Sequence, residues 1–169
     1  MTAPVFVDTN VLVYRQDGSD PAKQFRADDW ITHLARRRAA RISFQVLQEL
    51  YATLTRKLKP AFDAEEAQGI VRDLTAWQPV VVDLAVLERG WLLQGRHSLS
   101  WWDALIVGAA QSCACSALLT ENLQHGQTFG RVRVIDPFRS PEWTPEDVLA
   151  ALPPSGTDGS RGRIGRTGG

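Results

Sequence analysis

Short apolar runs alternate along this chain with segments whose apolar residues recur at helical spacing, and that alternation fixes the fold class. Val5-Phe6-Val7, Arg41-Ile42-Ser43, Val80-Val81-Val82, Ala117-Leu118-Leu119 and Val132-Arg133-Val134-Ile135 read as strands. Such runs, continuously apolar where a half-exposed strand would alternate, belong to a parallel sheet covered on both faces. The expectation is therefore an α/β sandwich. Between the strands, Asp20-Pro21 has an N-cap with proline at the first helical position and opens a helix toward Arg36-Arg37-Arg38. Leu47, Leu50, Leu54 and Leu58 mark a second helix that stops at Pro60. Further helices are expected over Asp63 to Trp77, from the cap Asp83 to about Gln94, from Ser100 through Ala110, and after Thr144-Pro145-Glu146-Asp147, which has capping-box spacing.

With 169 residues, 44% of them hydrophobic, the chain suffices for one good core, so residues 1–152 are expected to form a single domain. Beyond Leu152 the composition turns to Gly, Ser and Arg, and residues 153–169 are expected to be a disordered tail because they can bury so little. Lys+Arg 19 against Asp+Glu 19 gives a formal net charge of +0, so any nucleic-acid contact must rest on local patches. Arg36, Arg37, Arg38 and Arg41, or Arg161, Arg163 and Arg166 in the tail, are candidates for phosphate contact, though such runs are usually solvated faces. Cys113 and Cys115 lack the second pair of ligands a zinc site needs and read as ordinary packed thiols. The N-terminus has no basic leader, and no apolar stretch reaches membrane-spanning length, so a cytoplasmic protein without membrane contact is expected.

Ligands of an open parallel sheet bind beyond the carboxyl ends of its strands, which directs attention to acids at that address. Asp8 ends the first strand, Glu49 lies early in the helix after the second, and Asp103 lies in the first turn of the helix opened by Ser100. Each has a structural alternative. Asp8 can cap the helix that begins near Asn10, Glu49 projects toward Gln45 and Ala52 away from the leucine stripe, and Ser100-x-x-Asp103 is a capping pair.

In combination these residues resemble a known family. Val7-Asp8-Thr9-Asn10-Val11-Leu12, the run from Ser43 to Tyr51 containing Glu49, Leu99-Ser100-Trp101-Trp102-Asp103-Ala104-Leu105-Ile106, the run Leu119-Thr120-Glu121-Asn122-Leu123-Gln124-His125-Gly126 and Val134-Ile135-Asp136-Pro137-Phe138 are similar, in order, to PIN-domain ribonucleases of the VapC type, the toxins of VapBC toxin–antitoxin pairs. The resemblance spans residues 4–138. It implies a PIN fold with a parallel sheet of about five strands flanked by helices. It also implies that Asp8, Glu49 and Asp103 are catalytic carboxylates binding one or two Mg²⁺ or Mn²⁺ ions, hard cations that take oxygen ligands. The partners it implies are an RNA substrate, a cognate antitoxin and a second copy in a homodimer. Trp30, Trp77 and Trp91 are possible contact residues, although aromatics at helical spacing are more often core.

The sequence departs from the family at one place. A Thr-x-Asp motif commonly supplies a fourth acid, whereas Thr120-Glu121-Asn122 stands here. Asn122 retains an oxygen ligand but loses a charge, and Glu121 is an alternative fourth ligand whose side chain starts one residue earlier. Asn10 and Ser43 are expected either to orient Asp8, metal waters or phosphate, or to cap helices. His125 is expected to make a local hydrogen bond rather than transfer protons. Two other readings stay open: a PIN-like protein that binds RNA or a partner without cutting, and a haloacid-dehalogenase-like phosphatase in which Asp8 is a nucleophile. Against the second, Asn10 stands where that family needs another Asp.

Overall fold

A computed structural model describes residues 3–152 of the chain. In chain order its elements are β1 (Val5–Val7), α1 (Thr9–Gln16), α2 (Pro21–Arg36), β2 (Ala40–Arg41), α3 (Phe44–Arg56), α4 (Ala64–Leu74) with a 3-10 turn at Thr75–Trp77, α5 (Leu84–Arg96), α6 (Trp101–Ser112), β3 (Ala117–Leu119), β4 (Thr128–Phe129), β5 (Val132–Ile135) and α7 (Pro145–Ala150). The strands form one sheet in the order β2-β1-β3-β5-β4. Val5 lies opposite Ala40 and Ala117, and Ala117 lies opposite Arg133, all in parallel pairs. Every side chain of β1 and β3 is buried. Since successive strand residues face opposite sides, both faces of the sheet centre are covered, as the continuously apolar runs require.

The helices start where their caps dictate. Asp20, Ser43, Asp63, Asp83, Ser100 and Thr144 each accept a hydrogen bond from a first-turn amide. Val46, Leu47, Leu50 and Leu54 give α3 its buried stripe, and α6 is buried continuously from Ala104 to Ala110. Both faces feed one core that contains Phe6, Trp30, Ile31, Leu118 and Ile135.

Three expectations need correction. Val80-Val81-Val82 is not a strand of the sheet: Val80 alone makes a parallel bridge with Ser43, and Val81 is exposed because no neighbouring strand covers it. The second strand ends at Arg41, since Ser43 is diverted into capping α3. The sheet is also not wholly parallel, because β4 pairs antiparallel with β5, Thr128 opposite Arg133. The tail expected over 153–169 lies outside the described residues.

Candidate active site

β1 and β3 run side by side, and their carboxyl ends carry Asp8 and Thr120. The Asp8 amide continues the ladder by donating to Leu119 O at 3.0 Å. Asp8 thus follows directly on the strand and is the N-cap of α1. Its Oδ1 accepts from Thr9 N at 2.7 Å, and its Oδ2 accepts from Thr120 Oγ1 at 2.8 Å and from Asn10 Nδ2 at 3.1 Å. The carboxylate is thereby fixed in direction while only 4% of the residue remains exposed.

Thr120 is the hub of the adjoining loop. Besides donating to Asp8, its hydroxyl accepts from Asn10 Nδ2 and from Asn122 N, each at 3.1 Å. Asn10 Oδ1 in turn accepts from Glu121 N at 3.4 Å. Glu49 reaches the same place from α3. Its Oε2 accepts from Thr9 Oγ1 at 2.7 Å and its Oε1 from Gln45 Nε2 at 2.9 Å. Gln45 Nε2 also donates to Trp102 O at 3.3 Å, which ties α3 to the first turn of α6. Gln45 Oε1 is buried without a hydrogen-bond partner. Asp103 sits in that first turn, where Ser100 Oγ donates to its Oδ2 at 2.9 Å and accepts from its amide at 3.1 Å.

Asp8 feels the charges of both other acids. Burial pushes the Asp8 carboxyl up to about 6; the hydrogen bonds from Thr120 and Thr9 oppose this, and the negative charges of Glu49 and Asp103 add to it. A buried carboxylate flanked by two others is a place that a cation would relieve. All the donors are hard carboxylate oxygens, the chemistry that Mg²⁺ and Mn²⁺ accept. Among the described residues, however, no three His, Cys, Asp or Glu side chains make a ready cage for a metal ion. These facts are compatible, because Mg²⁺ keeps several waters and is commonly held by one or two carboxylates together with substrate phosphate. The chemistry of these carboxylates suits such an ion, and Asp8, Glu49 and Asp103 are the candidates to hold it.

The remaining expected residues divide sharply. Asn10 and Thr120 bond Asp8 directly, whereas Ser43 is fully buried and caps α3 by accepting from Val46 N at 3.4 Å. The Glu121 carboxylate turns to Tyr14 Oη and Lys23 Nζ, both at 2.8 Å, and so is spent in a hydrogen bond and an ion pair. Asn122 is exposed. His125 accepts from Asp136 N at 3.1 Å, the local bond expected of it. Arg37 pairs with Glu146 at 2.8 Å, and Arg41 donates to the carbonyls of Arg38 and Ala40. Trp30 is core, while Trp91 is exposed and stacks on Trp101 with ring centroids 6.3 Å apart. Sequence reading missed Thr9 and Gln45 as the groups that orient Glu49, and Lys23 and Tyr14 as the partners of Glu121. The one available signal was the i, i+4 spacing of Gln45 and Glu49.

Residues 5–128 match the PIN domain family. The chain belongs to that family. PIN domains are generally nucleases and generally use a divalent metal, and this membership leaves no support for the phosphatase reading. No curated protein matches the sequence significantly. Among solved structures, this PIN domain is similar to VapBC2 from Rickettsia felis, determined bound to a DNA fragment from its promoter. The TM-score is 0.56 at 17% identity, over 78% of this chain and 96% of that one. At that identity the likeness bears on the fold. Among the described residues, no helix is long and apolar enough to cross a membrane.

Proposed function

We propose that this PIN domain is a metal-dependent endoribonuclease, the toxin of a VapBC-type pair, which hydrolyses RNA phosphodiester bonds and is held in check by a cognate antitoxin. The observation that carries the proposal is Asp8: a carboxylate oriented by three hydrogen bonds and raised chiefly by its burial, with smaller contributions from the charges of Glu49 and Asp103, at the carboxyl end of the central strands. Asp8, Glu49 and Asp103 would hold Mg²⁺ or Mn²⁺. When bound, the ion acidifies water and neutralises charge developing on phosphate oxygens. The chain's own contribution is orientation: Thr120, Asn10 and the Thr9 amide fix Asp8, and Thr9 and Gln45 fix both oxygens of Glu49. No side chain is needed as a covalent nucleophile. The antitoxin and a homodimer enter through the ordered motifs that resemble VapC-type toxins, and the similar fold of the Rickettsia felis VapBC2 complex supports the antitoxin.

The test is cleavage of a mixed cellular RNA pool by purified, antitoxin-free protein in Mg²⁺, Mn²⁺ or EDTA, with Asp8→Asn in parallel. Discrete cuts that require metal and vanish in the variant are expected. Folded protein that binds RNA but cuts nothing in either metal would replace the nuclease by a binding role, the reading that Asn122 in place of an acid would then explain.

A further inference from the structure

At the opposite end of β3 from the acids, two thiols lie in contact. Cys113 ends α6, its amide donating to Ala109 O at 3.2 Å. Ala114 then takes a left-handed conformation, φ 54, which a residue with a Cβ adopts only under constraint. The constraint is visible: Ala114 N donates to Gln111 O at 3.1 Å and Cys115 N reaches back to Ala110 O at 3.0 Å, closing the helix end. Ser116 N then bonds Pro4 O at 2.9 Å and starts β3. This turn aims both side chains the same way, and the two Sγ atoms stand 3.4 Å apart. Cys115 is 1% exposed, and Cys113 is part-exposed, so only one thiol of the pair meets solvent.

We infer that Cys113 and Cys115 form a reversible redox dithiol that closes to an intramolecular disulfide in exchange with low-molecular-weight disulfides such as oxidised glutathione. A disulfide needs its sulfurs at about 2.05 Å, so the pair must approach by only about 1.4 Å from its present 3.4 Å. The left-handed residue between the two cysteines keeps their Cα atoms short of the fully extended separation of roughly 7 Å, within the range disulfides span. The hydrogen bond between the two thiols holds the Cys113 thiol below its ordinary pKa, and the positive charge of Arg41 acts in the same direction; the Cys115 thiol is raised by that same contact and by burial. The more acidic thiol is therefore also the exposed one, as the attacking thiol must be.

The steps balance. The Cys113 thiolate attacks one sulfur of oxidised glutathione, forming a mixed disulfide and releasing one glutathione thiolate. Cys115 then gives its proton to solvent and attacks the Cys113 sulfur, expelling the second glutathione thiolate. Two protein thiols are oxidised, and one glutathione disulfide is reduced to two thiols. Closing so short a loop removes little chain entropy, so the bond adds little stability. A short, part-exposed disulfide of that kind is of the labile type, easily re-reduced.

The full chain is equilibrated in buffers of graded reduced-to-oxidised glutathione ratio, acid-quenched, alkylated and weighed intact. The expected result is loss of both alkylatable thiols in one step, a mass decrease of two hydrogens, no retained glutathione, and full reversal by dithiothreitol. Cys115→Ser is expected instead to hold glutathione at Cys113. Wild-type protein that keeps a glutathione adduct, links chain to chain, or retains both free thiols across the series would overturn the inference. Should Cys115→Ser fail to fold, fragmentation of the wild-type peptide spanning the two cysteines decides the same question.

Discussion

Asp8 accepts three hydrogen bonds and is still protonated more readily than a free aspartate, because burial and two neighbouring acids outweigh the donors. Thr120→Val keeps the shape of the side chain and removes the donor to Oδ2. The expected result is an Asp8 carboxyl raised further, weaker Mn²⁺ binding at neutral pH, and a stability loss of about 0.5–1.5 kcal/mol, since Oδ2 keeps its bond from Asn10 Nδ2. Isothermal titration with Mn²⁺ and a urea unfolding curve measure the two effects; unchanged Mn²⁺ affinity would mean that Thr120 does not tune the site. At the neighbouring loop, Glu121 is held by Tyr14 and Lys23, so the missing acid is not replaced from that position. Asn122→Asp is accordingly expected to tighten Mn²⁺ binding, with the gain seen by the same titration, whereas Glu121→Gln leaves it unchanged. Equal affinities of Asn122→Asp and wild type would show that residue 122 stands off the ion. Asp8, Glu49 and Asp103 were legible as candidates because an acid in a recurrent motif announces its chemistry. Gln45 was legible only as a neighbour of Glu49 at i, i+4 spacing, and Thr9 was not, since a threonine acquires a role only from its partner, which here comes from another helix.

Helix starts were legible because a cap is a local device, written in the residue and the three that follow it. Short strands were not, because a strand exists only through its partner. Val80-Val81-Val82 has the stronger β composition, yet only Val80 finds a neighbour. Thr128–Phe129 makes an edge strand because a two-residue link opening on Gly130, at φ 59, folds it back on β5. The contact between α5 and α6 could not be read from the sequence either, although Gly90 marks it. A Cβ added at Gly90 would lie 2.9 Å from Trp101 Cζ3 and 3.4 Å from Leu105 Cδ2. Alanine improves helix propensity by about 1 kcal/mol, but overpacking costs about 1–3 kcal/mol, and the Trp101 ring is also stacked on Trp91. Gly90→Ala is therefore expected to lower the Tm by a few degrees and to alter tryptophan fluorescence. A raised Tm would show that the Trp101 ring yields freely and that the two helices are not locked at this point.

For the molecule as a whole, stability answers pH through the groups whose protonation differs between the folded and the unfolded chain, and Asp8 is a buried acid that the fold shifts strongly. The Asp8 pKa is about 6 in the fold against an ordinary 3.8, so between those limits the native state binds more protons than the unfolded chain. The stabilisation from this group is complete below about pH 4 and lost as pH rises through about 6, a change on the order of 3 kcal/mol. His33, held below its ordinary value by burial and by the positive charge of Arg37, pushes in the opposite direction in the same range, while Asp17 and Asp147, lowered by hydrogen bonds from Ser19 and Thr144, act only below about pH 4, so the Asp8 effect must be isolated as a difference between wild type and Asp8→Asn. Metal-free wild type is expected to lose stability relative to Asp8→Asn between pH 5 and pH 7.5 in parallel urea melts. Adding Mg²⁺ at pH 7.5 should reverse that loss, since an ion bound at a hundred times its Kd contributes about 2.7 kcal/mol, and should leave Asp8→Asn nearly unmoved. A Mg²⁺ response of equal size in both proteins would place the ion elsewhere. A pH difference without any Mg²⁺ response would leave Asp8 buried and strained but not a ligand. Both signs together would show that the cost of burying this carboxylate is the cost of having the site ready for its ion.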